Sequence, residues 1–212
     1  KKEKISSLDK RISIDQADAF KDRFSFPATT SISIFANRNT IISSGNKKTT
    51  PNVSLLGGDE NFLLLNGFQL SAGRNMNQAD VESGRNLCLL GHDVARRFFK
   101  NNSNKAVNAI IRINDVPYRV LGVLASRGSS FGFSRDNLVL TSYKNIDRNF
   151  SNTRSSYTIA VMTDDIKQVP AAMGEAEGTF RAIRKLSTTE ESNFVLDRND
   201  AIAEKAMNSL GF

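Results

Sequence analysis

The sequence predicts an α+β fold of two subdomains, in which a β-rich segment interrupts a helix-bearing part. Hydrophobic side chains make up 39% of the 212 residues, which is enough for a buried core. Apolar residues recur at helical spacing near both ends of the chain, whereas alternating apolar runs and turn residues fill the middle. We therefore expect residues 1–73 and 138–212 to form one discontinuous subdomain. Residues 74–137, bounded by turn-rich segments, are expected to form an inserted β-rich subdomain.

Charge and cysteine content exclude several classes of protein. The 29 Lys and Arg outnumber the 22 Asp and Glu, but they are scattered, which favours a solvated basic surface over a nucleic-acid or anionic-lipid surface. Cys88 and His92 are the one cysteine and the one histidine. A disulfide framework is therefore excluded, and a zinc site would need carboxylates or a second chain. No apolar run approaches the ~20 residues of a membrane helix.

A helix and a strand open the chain. Residues 1–24 are predicted to be helical, because Ser13 and Gln16 stand at capping-box spacing and apolar residues recur on one face. Pro27 ends this helix. Residues 30–34 then alternate between polar and apolar side chains, as a half-buried strand does.

A second strand and a short helix follow. Val53 and Leu55, succeeded by two glycines, predict a strand and its exit. Asp59 is then expected to cap a short helix over residues 62–65, because an Asp side chain accepts a hydrogen bond from the first free backbone N–H groups.

The middle of the chain predicts three strands and a helix. Residues 86–90 form a brief apolar strand, and residues 93–99 carry apolar side chains at helical spacing. Residues 110–113 and 118–124 are β-rich and are joined by Asn114-Asp115, which predicts a hairpin with its turn at that pair. A polar loop and a strand beginning at Leu138 come next.

The last third predicts a β-α-β unit and a terminal helix. Residues 158–162 form a strand, and Asp164-Asp165 are expected to cap a helix with an apolar stripe over residues 166–183. Residues 194–196 are expected to return as a strand. A final helix is predicted over residues 201–210.

No combination of residues predicts catalysis, a cofactor or a metal. Cys88 and His92 are separated by a predicted turn, so an ordinary buried thiol and a surface histidine are favoured. A nucleophilic triad would have to use His92, and the chain has no Gly-x-Ser-x-Gly elbow. Lys47-Lys48 lack the glycine spacing of a phosphate loop. Asp164-Asp165 are favoured as a helix cap over an acid/base or metal pair.

The loop over residues 126–137 is the candidate site. Phe131 and Phe133 lie between Arg127 and Arg135, and nearby glycines permit a flexible backbone. Three interpretations remain open: contact with a partner protein or a membrane, burial of the aromatic rings against the domain itself, and stacking on nucleic-acid bases. We predict partner contact as the functional interpretation.

A series of motifs in fixed order resembles a known family. A Gly-Arg turn at Gly73-Arg74 is followed by a Leu-Gly-x-x-x-Ala-x-x-x-Phe helix start over residues 90–99 and by a Val-x-Gly-Val strand end over residues 120–123. This order resembles the periplasmic core domain of MacB-type ABC transporter permeases, which are related to FtsX-like and lipoprotein-releasing permeases. Met76 and Thr141 depart from the family pattern, in which an aromatic residue and a proline are usual.

The resemblance implies an architecture and a place in a membrane protein. The discontinuous subdomain would be porter-like, with membrane-proximal terminal helices that follow one transmembrane helix and lead into the next. This would explain a chain that begins at Lys1 without a signal region. The implied location is the periplasmic side of an inner-membrane protein.

The resemblance also implies a function and partners. The domain would have no catalysis of its own and no cofactor, and it would transmit movement from a cytoplasmic ATPase to the periplasmic side during export or efflux. Its partners would be its own transmembrane helices, an ATP-binding domain or subunit, and an adaptor with an outer-membrane channel. Nucleic acid is not expected, and the isolated domain should be a monomer. The alternative is a passive binding module for a lipoprotein, peptide or partner protein.

Overall fold

A computed structural model describes residues 11–127, 129–130, 133–150 and 155–198, with the backbone alone at 129–130 and 133–134. The helices in this part of the chain are α1 (Ile14–Arg23), α2 (Phe62–Leu65), α3 (Gln78–Ser83), α4 (His92–Phe99), α5 (Ser103–Ala106), α6 (Tyr143–Asn149) and α7 (Val169–Ile183). The strands are β1 (Thr29–Thr40), β2 (Ile42–Ser44), β3 (Lys47–Lys48), β4 (Val53–Gly58), β5 (Leu70–Gly73), β6 (Leu87–Leu90), β7 (Ile110–Ile113), β8 (Val116–Leu124), β9 (Ser129–Ser130), β10 (Phe133–Ser134), β11 (Leu138–Ser142) and β12 (Thr158–Met162). The predicted α+β class is confirmed.

One mixed sheet contains ten of these strands. Its order is β12, β1, β4, β11, β6, β8, β7, β2 and β3, and β5 also pairs with β8. Strand β8 is long enough to pair with both β7 and β5, because its first half pairs with β7 and its second half pairs with β5. Two pairs are parallel, β4 with β11 and β6 with β8, and the other pairs with a described register are antiparallel.

The subdomain boundaries differ from the predicted insertion of residues 74–137. Leu89 of β6 is the register partner of Leu140 of β11, and Gly73 of β5 is the partner of Gly122 of β8. The described residues instead fall into two compact units, one of 11–29 with 161–198 and one of 30–160. The turn-rich segments that resemble domain boundaries connect strands of the same sheet. In that sheet, residues far apart in sequence are paired with each other.

The unit of residues 30–160 has its core in the central strands. Every residue of β6 and β11 is buried, which matches the apolar sequence of β6 and of the first three residues of β11. Helix α6 contacts β4 and β11, and helix α4 contacts β8 and β11. The predicted hairpin is confirmed: Asn114 and Asp115 both have positive φ, of 47° and 67°, as a two-residue primed turn requires.

The unit of residues 11–29 and 161–198 is helical and aromatic. The predicted capping box is confirmed, because Gln16 N donates to Ser13 Oγ at 3.2 Å and Ser13 N donates to Gln16 Oε1 at 3.3 Å. Helices α1 and α7 pack together, with the rings of Phe20 and Phe180 at 6.3 Å. Asp165 caps the short 3-10 turn that leads into α7, since it accepts from Lys167 N.

Three predicted elements have a different outcome. The strand over 194–196 is wrong, so α7 does not complete a β-α-β unit: Phe194 lies in irregular backbone and its ring packs on Phe180 at 4.7 Å. Asn61, and not Asp59, is the N-cap of α2, although Asp59 Oδ1 accepts from Asn61 N at 3.1 Å. The buried carboxylate of Asp59 bridges to β1 by accepting from Ser31 Oγ and Ile32 N. The predicted helix over 201–210 lies outside the described residues.

Helix α6 was not predicted from the sequence. It contains mostly polar residues, and Tyr143 and Ile146 are its only buried apolar side chains. Within the described part of the chain, no helix has both the length and the apolar character needed to cross a membrane.

Candidate functional site

The predicted polar loop contains a small β-ribbon. Strands β9 and β10 pair antiparallel, with Phe133 opposite Ser130 and Ser134 opposite Ser129. Phe131 lies outside the described residues, and only the backbone of Phe133 is described. The base of the ribbon, which we define as residues 126–127 and 135–136, is therefore the part of the candidate site with described side chains.

Arg127 is directed onto the domain itself. Its guanidinium lies 4.2 Å from the centroid of the Phe68 ring, and the Phe68 ring stacks on that of Phe62 at 5.8 Å. Burial lowers the pKa of Arg127, repulsion from Arg135 lowers it further, and Asp136 acts in the opposite direction. A cation over an aromatic face is attracted to it. Arg127 therefore anchors the ribbon to the segment between α2 and β5.

Asp136 completes the anchor. Its buried carboxylate accepts from Arg127 N at 2.8 Å and from Ser126 Oγ at 2.8 Å, so it fixes the backbone where the ribbon begins. Arg135 is exposed. The structure thus separates two of the predicted contact residues: Arg127 is engaged within the domain, whereas Arg135 faces solvent. Contact with a partner through this segment stays a prediction.

Cys88 and His92 occupy different elements. Cys88 lies in β6 and is fully buried, which raises the pKa of its thiol far above the usual range. His92 is the first residue of α4 and is half-buried. A buried, neutral thiol is a poor nucleophile and a poor metal ligand. Among the described residues, no three His, Cys, Asp or Glu side chains cluster as a metal site would require.

A buried carboxylate with two arginines was missed by the sequence reasoning. Asp80 of α3 accepts from Arg74 Nη1 at 2.7 Å, from Arg85 Nη2 at 3.3 Å and from Asn77 N at 3.0 Å. The hydrogen bond from Arg74 is the main cause that lowers the pKa of Asp80, against the opposing effect of burial. The signal that indicates this helix is the Asn-x-x-Asp spacing of a capping box, which α3 forms in full.

A second missed feature is a buried amide network at the start of β6. The hydroxyl of Tyr118 donates to Asn145 Oδ1 at 2.7 Å, and Asn145 Nδ2 donates to Gly84 O at 3.0 Å and to Asn86 Oδ1 at 2.8 Å. Asn145 is fully buried. Its partners come from strand β8 and from the turn before β6, so the network fixes α6 against the sheet.

Comparison with known proteins identifies the fold and its relatives. The model of the MacB-like periplasmic core domain family matches residues 4–179. The macrolide export ATP-binding/permease protein MacB of Bradyrhizobium diazoefficiens is 24% identical over 151 residues, which are 71% of this chain and 22% of that protein. The pyoverdine export ATP-binding/permease protein PvdT of Pseudomonas fluorescens is 26% identical over 114 residues, 53% of this chain and 17% of that protein.

A solved structure has the same fold. The periplasmic region of MacB from Actinobacillus actinomycetemcomitans superposes with a TM-score of 0.67 at 17% identity, covering 93% of this chain and 83% of that one. The chain spans about a fifth of the length of the curated relatives that it matches.

Proposed function

The chain belongs to the MacB-like periplasmic core domain family, and on that basis we propose that it is the extracytoplasmic domain of an ABC export permease. Its work is mechanical: it couples cytoplasmic ATP hydrolysis to a conformational change on the periplasmic side of the inner membrane. The domain is not itself an enzyme and needs no cofactor. Its partners are its own transmembrane helices and an ATP-binding domain or subunit, and the full export path includes an adaptor and an outer-membrane channel.

The observation that carries this proposal is the junction of α1 and α7. Arg184, directly after α7, donates through Nη2 to Arg11 O at 3.0 Å and to Gln16 Oε1 at 3.4 Å. Its guanidinium also lies 4.7 Å from the Phe180 ring centroid. The early and late parts of the chain are therefore joined in one unit. A movement applied to one of these segments is transmitted to the other, which is what a coupling domain requires.

The test compares two arginines in the full-length permease, reconstituted in vesicles with its ATPase. Arg184→Ala removes the hydrogen bonds from the α7 side to Arg11 and Gln16. Arg181→Ala is the matched control, because Arg181 bonds Ser187 O, Glu190 O and Ser192 Oγ, all on the segment that follows α7. ATP hydrolysis and export are measured together. We expect Arg184→Ala to lower export per ATP hydrolysed and Arg181→Ala to leave that ratio near the wild-type value.

The rival proposal is a passive binding module that holds a lipoprotein, peptide or partner without coupling to ATP. In that case the two arginine variants would give the same ratio of export to ATP hydrolysis. An unchanged ratio in Arg184→Ala, with the variant folded and inserted, would therefore remove the mechanical proposal.

We also propose that the ribbon contacts a partner protein. The exposed Arg135 and the sequence positions of Phe131 and Phe133 support this, because apolar side chains beside an exposed cation are typical of interface centres. Arg127 supports the contact indirectly. Its stacking on Phe68 holds the ribbon base in place.

A further inference from the structure

Three arginines line one groove beside strands β6 and β8. The groove has a volume of about 380 Å³, and Arg74, Arg85 and Arg119 line it together with Leu87, Val107 and Leu121. All of these residues belong to the unit of residues 30–160. We call this feature the arginine groove.

The sheet register explains why the side chains converge. Arg119 of β8 lies directly opposite Leu87 of β6 and Ile110 of β7. Residues that face each other across paired strands project to the same side of a sheet. Tyr118 and Val120, the neighbours of Arg119 in the strand, are buried on the other side, in the core.

The groove carries an excess of positive charge. Its described lining contains no acidic residue, and the carboxylate held by its arginines is that of Asp80, which pairs with Arg74 and Arg85. Three guanidinium groups against one carboxylate leave an excess of two positive charges. The Arg119 guanidinium has no hydrogen bond or ion pair within the described residues, and its side chain is exposed. It is therefore available to a ligand.

An apolar surface adjoins the arginine groove. A second depression of about 270 Å³ shares Arg85, Leu87 and Arg119 with the groove and extends to Ile110 and Pro117. Ile110, the first residue of β7, is 53% exposed although it is a large apolar side chain paired with Arg119. The two depressions thus place guanidinium donors beside a strip of uncovered apolar surface.

We propose that the arginine groove binds an amphiphilic anion, a molecule with a carboxylate or phosphate head and an apolar body. The head would accept charge-assisted hydrogen bonds from Arg119 and from the outward-facing donors of Arg85. The apolar body would cover Leu87, Ile110 and Pro117. The volume of the two depressions is of the size that small-molecule sites have, roughly 300–1,000 Å³.

The test uses the 212-residue chain and titration calorimetry, with octyl phosphate and octanoate kept below their micelle concentrations. The two probes separate a phosphate head from a carboxylate head, and binding of either supports the proposal. Inorganic phosphate should bind more weakly than octyl phosphate, because it lacks the apolar body. Octyltrimethylammonium should not bind measurably, because its charge is repelled. Added salt should weaken binding of the anions, since the guanidinium groups are solvent-facing.

Two variants and a control locate the site. Arg119→Ala should weaken octyl phosphate binding about tenfold, the size of effect expected for one charge-assisted contact. Ile110→Ser should bring the affinity for octyl phosphate down towards that for inorganic phosphate. Arg112→Ala is the control: it removes an exposed arginine whose guanidinium donates to Asp115 O in the hairpin turn, outside the groove lining.

Three results would overturn the proposal. The first is that neither octyl phosphate nor octanoate binds. The second is that Arg119→Ala and Arg112→Ala bind octyl phosphate with equal affinity. The third is that octyltrimethylammonium binds as tightly as octyl phosphate. Both arginine side chains are exposed, so unchanged melting temperatures are expected and serve as the check that each variant is folded.

Discussion

Asp80 shows how one buried carboxylate organises a turn. The Asp80 side chain is 4% exposed, whereas those of Arg74 and Arg85 are 55% and 66% exposed. Screening at the exposed guanidinium groups limits the strength of both ion pairs. The hydrogen bond that closes the capping box is made at the buried carboxylate, so it is less affected by solvent.

Asp80→Asn should therefore lower the free energy of unfolding by about 1–2 kcal/mol at neutral pH. The pKa of Asp80 lies below its ordinary value of 3.8 in the folded protein. Its stabilising effect is thus present above that value and is lost as the pH falls through the lower, folded pKa. Urea unfolding at a series of pH values should show a smaller acid-dependent loss in Asp80→Asn than in the wild type.

Glu82→Gln is the matched control for this experiment, because Glu82 is an exposed carboxylate on the same helix. An acid dependence that is the same in Asp80→Asn and in Glu82→Gln would contradict the role given to Asp80.

Two glycines in the interior of α7 offer a prediction about an element. An added Cβ at Gly174 or Gly178 would meet no atom within 4 Å. Because Gly lowers helix stability relative to Ala, Gly174→Ala and Gly178→Ala should each raise the free energy of unfolding by up to about 1 kcal/mol. Urea unfolding followed by circular dichroism measures the change.

Gly73→Ala should have the opposite effect. Gly73 has a φ of 70°, and an added Cβ would lie 2.1 Å from Leu121 O. The strained backbone and the clash should cost more than about 1 kcal/mol. A stabilising effect of Gly73→Ala would contradict the strain and the clash that are argued for this position.

The ribbon gives a further prediction about a structural element. Replacing Phe131 and Phe133 by Ser should leave the melting temperature of the isolated domain nearly unchanged and should impair export by the intact transporter. Ile41→Ser, which changes an exposed apolar side chain between β1 and β2, should leave export unchanged. A large fall in melting temperature would mean that the two rings belong to a core, and normal export would remove the proposed contact.

Elements with local signals were predicted well from the sequence. The Ser13 and Gln16 capping box and the Asn114-Asp115 turn depend on residues a few positions apart, and both form as expected. The pairing of β6 with β11 could not be predicted, since it joins residues about 50 positions apart through contacts that no local pattern encodes.

The sequence pattern also does not show the surroundings of residues whose neighbours are determined by tertiary contacts. Phe194 was predicted to lie in a strand, but its ring packs on Phe180. Arg127 is a predicted partner contact whose side chain lies over Phe68, an internal contact that the sequence pattern does not show, and the partner contact itself stays a prediction. The arginine groove was missed because Arg74, Arg85 and Arg119 come from three separate segments that only the sheet brings together.

At the scale of the whole molecule, we predict that the isolated domain is a monomer. Among the described residues, the exposed large hydrophobic side chains are distributed over several segments: Phe35, Ile41, Leu64, Leu70, Ile110, Val116, Val195 and Leu196. A stable dimer usually buries roughly 1,200–2,000 Å² of complementary surface. Light scattering after size-exclusion chromatography should give the mass of one chain, and a dimer that persists on dilution would contradict this prediction.

The central claim is that the domain transmits movement, and flexible linkers test it most directly. Gly/Ser segments are inserted at both junctions between this domain and the neighbouring parts of the full-length permease, because such segments do not transmit force. ATP hydrolysis and export are then measured in the same vesicles. The account predicts that hydrolysis continues while export per ATP hydrolysed falls sharply. Export per ATP that equals the wild-type value, with the domain tethered only by flexible linkers, would contradict it.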